Sequence, residues 1–226
     1  MTDDGPRIDL YYSYRSPYSY LAIGRLKRWA EDEGVGISVR PVLPLAVRSP
    51  DFFEKVNPLF VSYLWRDTHR VAEYLGIAFK WPTPDPVVMD RTHRQVPKQQ
   101  PYIHRLTRLG VAAGLRGKGL EFTDEVATVL WNGTVEGWDQ GDHLANACAR
   151  AGLDLAEMDA AIAAEPQRHI DIIEANQRAH REAGHWGVPT MVFDGEPFFG
   201  QDRIDLLKWR VAQKRAGAEI RPPPER

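Results

Sequence analysis

A short alternating segment that runs straight into a helix limits the possible folds of this chain more than any other feature. Residues 7–14, RIDLYYSY, place apolar side chains at every second position, which is the period of a β-strand. Ser16 and Pro17 then carry the N-cap and first-position preferences of a helix, and apolar residues recur at helical spacing as far as Gly34. A second alternating segment, GISVRPVLP, begins at Gly36. A strand, a helix and a strand of these lengths predict a right-handed βαβ unit with two parallel strands.

The middle of the chain is predicted to be helical, because nearly every periodic stretch in it has helical spacing and its own start and stop signals. A proline-rich connector, WPTPDP, interrupts this block. The predicted helices run from Asn57 to Gly76, from Gln99 to Ala113, from Thr123 to Trp131, from Asp142 onward, from Asp154 with Glu157 in a capping box, and from about Gln167 to Gly184.

After this block the pattern returns to strands. Two short apolar runs, 190–193 and 197–199, flank Asp194 and Gly195, and this dipeptide favours the type I′ turn of an antiparallel hairpin. Asp202 is predicted to begin a final amphipathic helix, and the last residues, RPPPER, form a tail.

The element order β-α-β, helices, β-β-α predicts an α/β protein with a thioredoxin-like four-stranded mixed sheet and an inserted all-helical domain. The predicted thioredoxin-like domain comprises residues 1–45 and 185–226, and the helical domain comprises residues 46–184. The length of 226 residues suits one domain with a large insertion.

Composition excludes several classes of function. The 29 Lys and Arg residues nearly balance the 31 Asp and Glu residues without a block of like charge, so no nucleic-acid or anionic membrane surface is implied. The acidic N-terminus lacks a secretory signal pattern and no apolar run is long enough to span a membrane, which predicts a cytoplasmic protein. Cys148 is the only cysteine, so neither an intramolecular disulfide nor a CxxC redox pair can form. The histidines show no metal-binding spacing, and no metal site is predicted.

Three segments together resemble the group of 2-hydroxychromene-2-carboxylate isomerases and kappa-class glutathione transferases within the thioredoxin-fold disulfide-oxidoreductase-like superfamily. They are YYSYRSPYSYLAIGRL, the spacing Tyr63-x3-Asp67-x2-Arg70-x-Ala72-x3-Gly76, and GVPTMVFDGEPFFGQDR. In that superfamily the turn from strand to helix carries CxxC, and the corresponding positions here are Ser16 and Ser19. The resemblance implies that glutathione binds along this turn, the cis-proline loop and the start of the last helix.

Ser16 is the candidate catalytic residue and also a candidate glutathione contact. Its structural role would be an N-cap whose hydroxyl accepts from the N–H of Tyr18 or Ser19. Its functional role, which the resemblance favours, is to donate to a glutathione thiolate held at the positive end of the helix dipole. Ser19 is expected to be structural.

The other candidate glutathione-binding residues follow from the resemblance. Pro189 is expected to be cis, so that the N–H and C=O of Val188 can pair with the cysteinyl part of glutathione. Gln201 and Asp202 are expected to hold the γ-glutamyl group, although capping of the last helix would also explain Asp202. Trp186 is expected to form a wall of the pocket, as is Tyr18. Packing and an i,i+3 ion pair are the expected roles of Tyr63, Asp67 and Arg70.

The resemblance implies a glutathione-dependent cis-trans isomerase that acts on small aromatic-degradation intermediates. It also implies a homodimer that binds a small-molecule substrate and neither nucleic acid nor a membrane. Two alternatives remain open: a kappa-class-like glutathione transferase or peroxidase, and a non-catalytic thioredoxin-fold module that binds a peptide or another apolar ligand. One segment departs from the isomerase pattern. Isomerases usually carry Lys and Asn in the loop after the second strand, whereas this chain has PLAVRSPDFFEKVN, in which Arg48 is the candidate for the lysine charge.

Overall fold

A four-stranded mixed sheet forms the centre of the protein. The computed structural model describes residues 5–90 and 95–218, so the predicted RPPPER tail lies outside the described residues. The strands are β1 (Arg7–Tyr12), β2 (Gly36–Pro41), β3 (Thr190–Phe193) and β4 (Glu196–Phe199). Their order in the sheet is β2-β1-β3-β4, with β1 parallel to β2 and antiparallel to β3, and with β3 antiparallel to β4. The predicted mixed sheet is therefore confirmed.

Ten α-helices surround this sheet in the described part of the chain. They are α1 (Pro17–Glu33), α2 (Leu45–Arg48), α3 (Phe52–Lys55), α4 (Pro58–Leu75), α5 (Ile103–Leu115), α6 (Gly119–Trp131), α7 (His143–Arg150), α8 (Leu155–Ala164), α9 (Pro166–Glu182) and α10 (Ile204–Arg215). The two short helices α2 and α3 occupy the segment after β2, for which the sequence predicted no helix. None of the helices in the described part is both long and apolar enough to cross a membrane.

Local signals account for several element ends. The side chains of Ser16, Asn57 and Asp154 accept hydrogen bonds from backbone N–H groups in the first turns of α1, α4 and α8, as N-caps do. Asp194 and Gly195 both have positive φ, 53° and 81°, which confirms the predicted hairpin turn between β3 and β4.

Other predicted boundaries are wrong because distant contacts decide them. The helix predicted from Gln99 begins at Ile103. The side chain of Gln100 instead forms hydrogen bonds with backbone groups of Val88 and Pro97, which keep this part of the chain in a loop. The helix predicted from Thr123 begins at Gly119. Thr123 is instead buried within α6, where its hydroxyl shares a 3.1 Å hydrogen bond with the hydroxyl of Tyr14.

The helical segment and the sheet share one buried core. The indole N–H of Trp131 in α6 donates to the carbonyl of Tyr14, two residues after the end of β1, over 3.0 Å. A single hydrophobic cluster includes both residues together with side chains from β3 and α10. The ring of Tyr14 also lies against Gly110 of α5, where a β-carbon would come within 3.0 Å of ring carbons and still closer to the hydroxyl oxygen.

We expect Gly110→Ala to destabilise the fold by about 1–3 kcal/mol, because the added methyl overlaps the fully buried ring of Tyr14. Gly114→Ala, in the same helix, is the matched control, since a β-carbon there meets nothing within 4 Å. Alanine at that position should raise the free energy of unfolding by about 0.5–1 kcal/mol through helix propensity. Urea unfolding of both variants measures the difference; equal effects would contradict the close packing of α5 on Tyr14.

Stability should also fall in acid through His180. This side chain is buried and stacks on Tyr11 with ring centroids 4.4 Å apart. Burial lowers the pKa of His180 to about 4, with further lowering by the positive charges of Arg48 and His185. An unfolded histidine titrates near pH 6.5, so between about pH 6.5 and 4 only the unfolded chain binds the proton.

The free energy of unfolding is therefore expected to drop by up to about 3 kcal/mol as the pH falls through this window, because of His180 alone. His180→Phe keeps an aromatic ring on Tyr11 and removes the titrating group. Denaturant unfolding from pH 7 to pH 4 should show a shallower pH dependence for the variant. A slope identical to that of the unsubstituted protein would contradict the assignment.

Candidate active site

The hydroxyl of Ser16 connects the first turn of α1 to the loop before β3. Its oxygen accepts from the N–H of Ser19 over 3.2 Å, which confirms the predicted N-cap geometry. The same hydroxyl donates to the carbonyl of Val188 over 3.3 Å. The side chain is 9% exposed. Ser16 thus lies where the carboxyl end of β1 and the amino end of β3 meet.

The start of α1 has an unused donor beside Ser16. Pro17 has no N–H, the N–H of Ser19 bonds Ser16, and the N–H of Tyr20 bonds the carbonyl of Ser16. The N–H of Tyr18 has no acceptor among the described residues. Together with the positive end of the helix dipole, this free N–H favours an anion next to the Ser16 hydroxyl. The turn can therefore stabilise a thiolate without a cysteine of its own.

The loop opposite the turn contains a cis peptide bond between Val188 and Pro189, as the resemblance implied. The hydroxyl of Thr190 donates to the carbonyl of Gly187, and the N–H of Gly200 donates to the carbonyl of Pro189. These bonds hold the loop from both sides. The N–H of Val188 has no partner among the described residues, so it can donate to a carbonyl of an extended ligand.

Gln201 and Asp202 lie in a 3-10 turn, Gln201–Arg203, that precedes α10. The guanidinium of Arg25 in α1 donates to both the carbonyl and the side-chain oxygen of Gln201, over 2.9 and 2.8 Å. Asp202 is exposed and lies 3.6 Å from the guanidinium of Arg203. The prediction that Asp202 begins the last helix is wrong, since α10 begins at Ile204 and Asp202 makes no capping bond to it. Gly200, immediately before this turn, has a φ of 108°, a conformation that glycine adopts without strain.

Trp186 lies two residues before Val188 and is 49% exposed. Its ring packs against Phe52 of α3 and His185, with centroids 5.8 and 5.6 Å away. Phe52 in turn contacts Phe60 of α4. These side chains form an aromatic wall beside the cis-proline loop, and the expectation that Trp186 lines a ligand pocket stays a prediction.

The segment after β2 reaches this loop through Arg48. Its guanidinium donates to the carbonyl of Leu43 over 2.7 Å and to the carbonyl of Trp186 over 2.9 Å. Burial lowers the pKa of Arg48 to about 10, with a smaller effect from Arg181. Arg48 is therefore still a cation at neutral pH, and it makes no ion pair among the described residues.

An acidic side chain from the helical segment also reaches the turn. The hydroxyl of Tyr18 donates to Asp67 over 2.6 Å, and that of Tyr63 donates to the other carboxylate oxygen over 3.1 Å. Arg70 lies 3.6 Å from the same carboxylate. Burial and the hydrogen bond to Asp67 raise the pKa of Tyr18, and the negative charge of Asp202 raises it further. The expected ion pair on α4 is present, whereas the contact with Tyr18 was not predicted, because spacing along one helix says nothing about its partner.

A second contact that sequence reasoning missed joins Arg15 to Asp85. The guanidinium donates two hydrogen bonds to the carboxylate, 3.1 and 3.0 Å long, and lies over the ring of Trp81. Asp85 belongs to the proline-rich connector, which is therefore fastened beside the turn. The sequence contained only two signals of this contact: the positive charge of Arg15 next to Ser16 and the negative charge of Asp85 in the proline-rich connector.

The thiol of Cys148 takes no part in this arrangement. It is buried in α7 and burial raises its pKa to about 11, which keeps it protonated and unreactive at neutral pH. Within residues 5–90 and 95–218, no group of three or more His, Cys, Asp or Glu side chains is placed to hold a metal ion.

Comparisons with known proteins agree with this architecture. The sequence model of the DSBA-like thioredoxin domain matches residues 7–212. A curated 2-hydroxychromene-2-carboxylate isomerase from Pseudomonas putida is 22% identical over 206 residues, which cover 89% of this chain and 92% of that protein.

Two solved structures show the same fold. A 2-hydroxychromene-2-carboxylate isomerase has a TM-score of 0.66 at 23% identity, covering 95% of this chain and 100% of the other. The cytosolic disulfide reductase DsbM from Pseudomonas aeruginosa, solved with GSH, has a TM-score of 0.57 at 15% identity, covering 93% of this chain and 98% of the other. Because the family's sequence model extends from β1 into α10, this chain belongs to the DSBA-like thioredoxin domain family.

Proposed function

We propose that this protein is a glutathione-dependent cis-trans isomerase of the 2-hydroxychromene-2-carboxylate isomerase type. The observation that carries the proposal is the pairing of Ser16 with a free N–H at the start of α1, opposite a cis-proline loop, in a chain with no cysteine at this turn. Such a site suits a thiolate that arrives with a cofactor. Similarity to the Pseudomonas putida isomerase along most of both chains supports the reaction class.

Glutathione would bind between the turn and the cis-proline loop. Its cysteinyl main chain would pair with the N–H and C=O of Val188, as an added strand does. Its γ-glutamyl group would meet Gln201 and Asp202, with the carboxylate of Asp202 facing the ammonium group. The fold similarity to a disulfide reductase solved with GSH supports a tripeptide in a site of this kind. The sulfur would then lie near the Ser16 hydroxyl, which turns from Val188 towards it.

The reaction would proceed by reversible addition. The glutathione sulfur forms a bond to the β-carbon of a conjugated enone, and a proton is taken up at the adjacent carbon. The former double bond is now single and rotates. Loss of that proton and cleavage of the C–S bond then restore the double bond in the other geometry and release glutathione unchanged. Ser16 and the N–H of Tyr18 would stabilise the thiolate both before addition and after elimination.

The substrate side of the site suits an aromatic carboxylate. The wall formed by Trp186, Phe52 and Phe60 offers ring faces to a planar aromatic group. Arg48 supplies an unpaired cation fixed next to Trp186 by two backbone carbonyls. A carboxylate that reached Arg48 would lie beside the aromatic wall. This arrangement favours an isomerase of carboxylated substrates over a transferase that accepts neutral electrophiles.

Ser16→Ala should raise the pKa of bound glutathione by about one to two units, because a hydrogen bond to a charged group contributes roughly 1.5–3 kcal/mol. Calorimetry establishes glutathione binding, and ultraviolet absorbance of the thiolate during a pH titration measures the shift. Ser19→Ala is the matched control, since it removes a buried hydroxyl that has no hydrogen-bond partner among the described residues. A thiolate titration unchanged in Ser16→Ala would refute the role of Ser16, and failure of the unsubstituted protein to bind glutathione would refute the proposed function.

Arg48→Met should raise the KM for 2-hydroxychromene-2-carboxylate by about 10–100-fold, the effect of losing one charged hydrogen bond. The affinity for glutathione should change little, because Arg48 lies on the substrate side. Arg48→Lys restores the charge and should recover part of the loss. The assay follows isomerisation with and without glutathione. Equal KM values for the Met and Lys variants would show that the charge of Arg48 does not bind the substrate.

A further inference from the structure

A cavity of about 460 Å³ lies on another face of the protein, beside the edge strand β2. Its lining includes residues 37–41 of β2 and the glycine-rich junction between α5 and α6, together with residues of α1 and α9. Lys27 of α1 lines it eleven residues after Ser16, which is about 16 Å along the helix. The volume falls within the range of small-ligand sites, roughly 300–1,000 Å³. The cavity shares no lining residue with the candidate active site.

The register of β2 shows which of its backbone groups face the cavity. The N–H of Gly36 donates to Pro6 and the N–H of Val42 donates to Tyr12, so even-numbered residues direct their backbone groups towards β1. In a strand, successive residues point their N–H and C=O groups to opposite sides. Ile37 and Val39 must therefore point theirs away from the sheet. Neither residue has a backbone hydrogen bond on that side among the described residues.

The unpaired edge ends at Pro41. Its nitrogen carries no hydrogen, and its carbonyl accepts from the side chain of Asn176 in α9 over 3.0 Å. The unpaired backbone groups that face the cavity are therefore the N–H and C=O of Ile37 and the N–H and C=O of Val39. Donors and acceptors that alternate along an edge in this way match the main chain of another extended peptide.

The rest of the lining favours an uncharged ligand with apolar side chains. Val111, Leu115, Leu120 and Ile172 supply apolar surface. The charged groups of the lining are largely paired already: Lys27 with Asp124, Arg40 with Asp9, and Glu121 with Lys118. An ionic ligand would have to compete with these partners, whereas a neutral peptide would not.

We propose that this cavity binds a short, uncharged, extended peptide segment, which adds to β2 as a fifth strand through Ile37 and Val39. The backbone of the ligand supplies the hydrogen bonds, and an apolar side chain enters the space between α5 and α6. The proposal does not depend on glutathione chemistry at Ser16.

Gly114 provides a way to close the cavity without disturbing the fold. It lies in α5 on the cavity wall, and a β-carbon built there meets nothing within 4 Å. Gly114→Phe therefore fills the space with a ring, while Gly114→Ala adds one methyl group and leaves most of the space open. Both replacements favour the helix.

The test is a titration of the isotope-labelled protein with acetyl-Val-Ala-Val-amide, followed by the amide resonances of Ile37 and Val39. Saturable shifts of these two amides are expected, because backbone pairing depends little on the peptide sequence. An analogue with every amide nitrogen methylated should bind at least tenfold more weakly. Gly114→Phe should also reduce affinity at least tenfold, and Gly114→Ala should retain it. Urea unfolding checks that both variants are folded.

Three results would overturn the proposal. The first is absence of saturable shifts at Ile37 and Val39 up to millimolar peptide, including the case in which the shifts are confined to the loop at Pro189. The second is equal binding by the Phe and Ala variants. The third is a change of the same two amides with protein concentration alone, which would assign the edge to a second copy of the chain. Glutathione binding by Gly114→Phe, measured separately, keeps this outcome independent of the function proposed for Ser16.

Discussion

The antiparallel pairing of β1 with β3 is the constraint on which the candidate active site depends. Tyr11 pairs with Thr190, so β3 begins beside the point where β1 ends. The pairing therefore brings the cis bond before Pro189 against the first turn of α1, across 172 residues of sequence from Ser16 to Val188. Backbone hydrogen bonds establish this geometry. The side chains at the turn, and the chemistry they support, can therefore differ without a change in this backbone arrangement.

The helical segment also positions the turn that carries Ser16. Trp131 bonds the carbonyl of Tyr14, which anchors α6 one residue before Arg15 and two before Ser16. Asp67 and Asp85, from two different parts of the same segment, then bind Tyr18 and Arg15 on either side of Ser16. Arg15 and Tyr18, which flank Ser16, are thus each hydrogen-bonded to a carboxylate. Because these contacts already fix Arg15 and Tyr18, we expect the turn to present its donors to an incoming anion with little reorganisation.

A serine at this turn gives the fold a different use from that of a dithiol enzyme. A cysteine pair would exchange electrons with a partner disulfide, whereas the hydroxyl of Ser16 and the N–H of Tyr18 can only stabilise charge. The proposed function rests on this difference: in the proposal, glutathione brings the thiol to the turn and is released unchanged. The aromatic wall at Trp186 and the cation at Arg48 would then select what meets the thiol.

The sequence by itself determined the features that depend on neighbouring residues: the strand running into α1, the cap at Ser16, and the hairpin at Asp194 and Gly195. Each is set by conformational preference or by a hydrogen bond spanning a few residues, and a linear pattern records such effects. The mixed four-stranded sheet also followed, because the β-α-β unit makes its two strands parallel and the hairpin makes its two strands antiparallel.

Only the tertiary structure decided the start of α6, the turn at Asp202, the bond between Tyr18 and Asp67, and the open edge at Val39. These depend on which distant surfaces pack together. Thr123 of α6 meets Tyr14, Arg25 of α1 holds the turn at Gln201, and α4 brings Asp67 to Tyr18. Such contacts join residues that are far apart in the sequence, so the spacing of residues along the chain does not predict them. The physical reason is that local preference acts through a few bonds, whereas packing acts through space.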